Sequence, residues 1–232
     1  MADRILIVNA DDFGRSEAVN RGVATAHVEG IVTSASLMVR WPAADAATTY
    51  ARAHAELSVG LHIDLAEWSY ESGQWRLVYE TAEPVEAEVD RQLAMFRALM
   101  GRDPTHIDSH QHVHRSPPAS VVIAAVASEL GVPLRGAGES IRYCGDFYGQ
   151  TGKGEPYHDA ITVDALVSLI EKLPLGITEL GCHPAEGVDF ETTYGDERLS
   201  ELKALCDPRV RTALLHSNVE LASHSDIASL TK

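Results

Sequence analysis

An α/β fold of about seven parallel strands, closed toward a distorted (β/α) barrel with helices outside, is what this 232-residue chain predicts. Three observations carry that reading. Apolar runs of strand length alternate with helix-patterned segments, several runs end in carboxylate and imidazole groups, and no linker or internal repeat divides the chain. With 45% hydrophobic and 23% charged residues, positions 1–232 read as a single domain around one core.

In chain order, the first strand spans 4–9 and contains Ile5, Leu6, Ile7 and Val8, a run suited to burial on both faces. Asp11 and Asp12 follow it, then a glycine and Ser16, an N-cap for a helix over 17–29. Strands at 33–39 and 57–63 flank a helix over 43–55. Residues 66–82 break the rhythm and are expected as a long loop beside a site. A helix at 84–100, a strand at 105–108, a helix at 118–130 and a strand at 132–135 continue the alternation. A second long loop is expected at 136–162, where Tyr143, Phe147 and Tyr148 suit either packing or the apolar face of a sugar ring. The helix at 163–171, strand at 176–182, helix at 197–205 and strand at 219–223 complete the pattern. Seven strands suit barrel-like closure better than a small open sheet.

Charge and composition exclude several classes. A formal net charge of −15, from 34 acidic and 19 basic residues, opposes binding to nucleic acid. No apolar stretch approaches the roughly 20 residues of a membrane span. Three cysteines without short pairing and no secretory signal pattern give the expectation of a reduced, cytoplasmic protein.

The polar groups at the strand ends carry the chemistry. "NADD" supplies Asp11 and Asp12, "GLHIDL" supplies His62 and Asp64, "HIDSHQHVH" supplies Asp108, His110, His112 and His114, and "GCHPAEG" supplies His183 and Glu186. Parallel strands would bring these groups to one rim. Mixed carboxylate and imidazole suits a divalent ion, while the lack of clustered thiols argues against an iron–sulfur or structural cysteine–zinc site. Four of the 11 histidines, His106, His110, His112 and His114, fall within nine residues, too many for one ion to bind all of them. His62 by itself reads as a buried strand-end histidine as readily as a ligand, and the acid pair by itself as a turn or cap.

Taken together, "ILIVNADDFG", "GIVTSASLMV", "VGLHIDL", "PTHIDSHQHVH", "VPLR" and "ELGCHPAEG" resemble the YdjC-like family, carbohydrate deacetylases of the ChbG type, from residue 4 to about residue 206. The resemblance implies a distorted barrel related to polysaccharide deacetylases and a hydrolase that removes an N-acetyl group from an amino sugar or chitooligosaccharide. It implies a divalent metal, usually magnesium, with zinc and manganese as alternatives, held by Asp12, His62 and His110. Asp11 would be the general base, and His183 would act on the other side of the substrate. The spacing of His110 and His114 leaves His114 open as a second ligand. An oligosaccharide is the implied partner, and a homodimer the implied assembly. Two other readings stand beside this one. An amidohydrolase-type or phosphoesterase metal barrel would put an HxH pair after its first strand, where this chain has two aspartates. A non-catalytic sugar-binding module would use the same rim without turnover.

Overall fold

The computed structural model describes residues 3–71 and 73–230. Its elements follow the order β1 (Arg4–Phe13), α1 (Glu17–Val28), β2 (Ser34–Leu37), α2 (Ala44–Ala53), β3 (Ser58–Ile63), β4 (Ala66–Glu71), β5 (Gln74–Glu80), α3 (Val85–Met100) and β6 (Ile107–Ser109). A tight turn at His110–Arg115 leads into α4 (Ala119–Leu130) and β7 (Ile141–Cys144), and a second at His158–Ile161 into α5 (Val163–Glu171). β8 (Gly176–Cys182), α6 (Gly195–Leu205), α7 (Pro208–His216), β9 (Val219–Leu221) and α8 (His224–Leu230) follow.

All ladders in the main sheet are parallel, in the order β6-β3-β2-β1-β8-β7. β9 pairs with Arg4 to Leu6 of β1, below β2, which pairs with Asn9 to Phe13 on the same side. This is the parallel β/α barrel arrangement predicted, with seven strands in the sheet. The membership differs by one: positions 132–135 form only a single bridge, Leu134 to Ile107, and β7 takes the seventh place. Among the described residues no backbone ladder joins Leu134 to β7. Arg135 spans the opening instead, its Nε 2.7 Å from Glu179 on β8.

The strands alternate with period two, and this alternation builds the site. On β1, Leu6, Val8 and Ala10 join the main core with Val19 and Val23 of α1. The odd-numbered face starts with Ile5 and Ile7, packed with Ile141, Ala222 and Ile227, and continues as Asn9 and Asp11. β2 and β3 repeat the division: Ala35, Leu37, Val59, Leu61 and Ile63 join the helix-side core, leaving Ser34, Ser36, Gly60 and His62 on the other face. The interior is thus apolar at its base and polar above. Ser16 caps α1 as predicted, its Oγ accepting from Val19 N at 3.2 Å.

Two expected loops contain structure. Residues 66–82 hold the antiparallel β4–β5 hairpin, and 136–162 hold β7 and the second tight turn. Helices α7 and α8 were not predicted: α7 is short and begins at Pro208 behind the cap Asp207. No described helix is long and apolar enough to cross a membrane.

Candidate metal centre and substrate cleft

β1 presents both aspartates to one cavity through a bulge. Between Ala10 and Phe13 it uses three residue steps where β2 uses two, and Asp12 sits at φ 63°. A regular strand would send neighbours to opposite faces. The extra residue and the left-handed backbone at Asp12 turn its carboxylate back to the side of Asp11, and both line a cavity of about 870 Å³. Gly14 makes the next turn possible: at φ 91°, any Cβ there would lie 3.0 Å from the Met38 carbonyl.

Around Asp12 the chain gathers His62 from β3 and His110 from the turn after β6. Their nitrogens lie 3.4 Å and 3.2 Å from Asp12 Oδ1. One donor atom from each of the three residues falls within 4.8 Å of the others, all buried, which fits a divalent ion. His62 donates support for that fit: its Nδ1 is 2.8 Å from Asp108 Oδ1, so Nε2 is turned toward Asp12 in the orientation carboxylate-held ligand histidines adopt. Burial opposes charge on His62, yet Asp108, Asp12 and Asp11 outweigh it and push its pKa up to about 10. Burial likewise raises Asp12, but Arg198, with Nη2 2.5 Å from Asp12 Oδ2, and His110 hold its carboxyl well below the usual range.

Asp11 sits in a polar stack beneath the cleft. Asn9 Nδ2 donates to Asp11 Oδ1 at 2.8 Å and to Ser36 Oγ at 2.7 Å, and Ser36 Oγ donates to Asp108 at 2.7 Å. Arg135 pairs with Asp11, Asp108 and Glu179 at 2.6–2.7 Å, one cation among three buried acids. Burial is again outweighed, and Asp11 is ionised across the ordinary pH range.

His183, at the end of β8, faces Asp11 from the far wall, Nε2 to Oδ2 3.8 Å. Its ring lies against Tyr148 and Tyr194, and Glu201 is 3.7 Å from Nδ1 and accepts from its backbone N–H. Burial lowers its pKa, but Glu201 and the two aspartates raise it above the ordinary histidine value.

The other predicted rim residues separate. His112 and His110 line the cavity, with His112 Nε2 3.3 Å from the Tyr143 hydroxyl. His114 has both ring nitrogens engaged, by Ser109 Oγ at 2.6 Å and the Arg135 carbonyl at 3.1 Å, and belongs to none of the metal-capable groups among the described residues. Asp64 is buried against Arg40, Trp41 and Tyr79, and Glu186 lies on the surface with Arg21 and Thr25. Neither lines the cavity.

Sequence reasoning missed the arginines and Glu201. Arg15 is buried between the rings of Trp41 and Phe190, donates to Glu67 at 2.6 Å and lies 3.4 Å from His110 Nε2. Arg198 covers Asp12 from α6. Single charges inside helix or turn patterns carry no periodic signal. Only Arg135, in the quoted "VPLR", stood in a segment already singled out.

A carbohydrate deacetylase of Geobacillus stearothermophilus is 34% identical, covering 98% of this chain and 99% of its own. A chitooligosaccharide deacetylase of Serratia marcescens is 32% identical over 97% of this chain and all of its own. A crystal structure from Enterococcus faecalis, named for cellobiose-phosphate cleavage, superposes with a TM-score of 0.79 at 26% identity, covering 97% and 98% of the two chains. The fold alone is shared with a family 4 carbohydrate esterase of Streptomyces lividans, at a TM-score of 0.56 and 13% identity over 96% and 93%. The model of the YdjC-like protein family matches residues 5–216, and the chain belongs to that family.

Proposed function

We propose that this protein is a metal-dependent carbohydrate deacetylase that hydrolyses the N-acetyl group of an amino sugar within an oligosaccharide. One observation carries the reading: the Asp12, His62 and His110 donors share a cleft with a separate carboxylate, Asp11, and an opposed imidazole, His183. Full-length likeness to named carbohydrate and chitooligosaccharide deacetylases supports it.

Asp12, His62 and His110 would hold the ion. When bound, a divalent ion supplies Lewis acidity toward the amide oxygen and lowers the pKa of an attacking water. Asp11 takes the proton of that water. Arg135, which also pairs with Asp108 and Glu179, orients Asp11 and holds its carboxyl well below the usual range, so that it faces the water as a carboxylate. His183, whose hold on a proton Glu201 strengthens, gives a proton to the departing amine. Arg198 pairs with Asp12 Oδ2, while Oδ1 faces the nitrogens of His62 and His110, the residues that would hold the ion with it. Magnesium is the metal the resemblance assigns, and two imidazoles among three donors also suit zinc or manganese. Three free cysteines accord with a cytoplasmic location.

Acetate release from N-acetylglucosamine oligomers, measured after chelation and after adding back magnesium, manganese or zinc, tests the proposal. Metal-restored release is expected. No release with any of the three metals rejects it.

A further inference from the structure

The β4–β5 hairpin carries an apolar face with no core to cover it. Trp68 pairs with Leu77 and Tyr70 with Trp75, and directly paired residues of antiparallel strands project to the same side. Such a face is ordinarily buried. Here Trp68, Trp75 and Leu77 remain 45%, 52% and 44% exposed. Trp68, Tyr70 and Trp75 line the same cavity as Asp12 and His62, and the Tyr70 and Trp75 rings meet edge to face at 5.2 Å.

The hairpin is held in a fixed relation to the metal-capable triad. Gln111, next to His110, donates to the Trp68 carbonyl at 2.7 Å and accepts from the Trp68 N–H at 2.9 Å. Arg15 joins Glu67 on the hairpin to the edge of His110. From Glu67 to Tyr70 the strand advances about 10 Å, about the length of a disaccharide. Gln150 and Thr151 add polar groups to the wall of the cavity, the mixed lining that suits a hydroxyl-rich ring.

We propose that this hairpin face is a sugar-binding subsite in which Trp68 and Trp75 stack on a pyranose ring linked to the acetylated unit, so that chain length is read by the hairpin. The proposal rests on the deacetylase reading for what lies beside Asp11. It assigns recognition of the neighbouring ring to residues outside the catalytic cluster.

Trp68→Ala, Trp75→Ala and Trp75→Phe would be compared with wild type on N-acetylglucosamine and its trimer. The ratio of kcat/KM for trimer over monomer should fall about tenfold in the alanine variants, through KM, and largely recover in Trp75→Phe. An unchanged ratio in both alanine variants overturns the proposal. So does a shift from dimer to monomer on sedimentation with no change in ratio, which would make the face a contact between copies. Calorimetric titration with the glucosamine trimer, which has no acetyl group to lose, separates the two readings. Binding lost in Trp75→Ala, in a wild type that releases no acetate, upholds the subsite and rejects the deacetylase. Acetate release without trimer binding rejects the subsite.

Discussion

Arg135 clasps Asp11 with both terminal guanidinium nitrogens, at 2.6 and 2.7 Å, while also pairing with Asp108 and Glu179. Removing it leaves three buried carboxylates without their shared cation. Arg135→Leu is expected to lose about 3–5 kcal/mol at neutral pH by urea unfolding, the range for an orphaned buried charge. The wild type should behave oppositely with acid. The Glu179 pKa falls from 4.5 to about 2 on folding, so its stabilisation is complete above 4.5 and disappears as pH drops toward about 2. Mild acidification should therefore weaken the wild type and partly rescue Arg135→Leu.

Metal content should follow three residues and spare a fourth. Alanine at Asp12, His62 or His110 is expected to abolish bound metal by elemental analysis, whereas His112→Ala, outside both metal-capable groups, Asp12–His62–His110 and Asp11–His62–Asp108, retains it. Asp108→Asn should weaken metal affinity by about 10–100-fold, because it loosens the orientation of His62. Full occupancy in His62→Ala would remove that residue from the centre.

The two neighbouring aspartates should differ in what they lose. Asp11→Asn is expected to keep the metal and lower kcat by at least about 10², with little change in KM. Asp12→Asn should lose metal affinity first. Equal metal loss in both variants would make both acids ligands, and normal turnover in Asp11→Asn would place the base elsewhere.

Glu201 and His183 set a pH dependence. A proton donor works below its pKa, and Glu201 raises that of His183, so the alkaline limb of the kcat/KM profile lies above the ordinary histidine range. Glu201→Gln should move that limb to lower pH. In His183→Gln the limb should be missing altogether, and its persistence there would assign it to another group.

Gly22 allows α1 to approach the segment after His183. A Cβ at Gly22 would lie 2.3 Å from Ala185 Cα, a backbone atom that cannot swing aside. Gly22→Ala should cost about 1–3 kcal/mol by denaturant unfolding and reduce turnover by displacing His183. Wild-type stability in this variant would contradict the packing.

Much of the architecture was legible before any coordinates. The strand at 176–182 and the helix at 163–171 coincide with β8 and α5, because continuous burial and a strong 3.6-residue pattern are local properties of the chain. Of the nominated site residues, Asp11, Asp12, His62, His110 and His183 all line one cavity, since parallel strands deliver their C-terminal ends to one rim. The hairpin at 66–80 was unreadable as strand for the reason that makes it interesting: its apolar face answers to a cleft and not to a core. Arg135, Arg198 and Arg15 were equally silent, because an isolated arginine has the same local signature on a surface as beside a buried carboxylate. The sequence by itself determined the alternating elements, the acid and histidine inventory and their delivery to one end of the sheet. Only the tertiary structure decided that the bulge at Asp12 turns two adjacent acids into one cavity, and that distant arginines pair with each of them separately, because the bulge depends on how β1 pairs with β2 and the arginine pairs join segments more than 100 residues apart, to all of which local periodicity is blind.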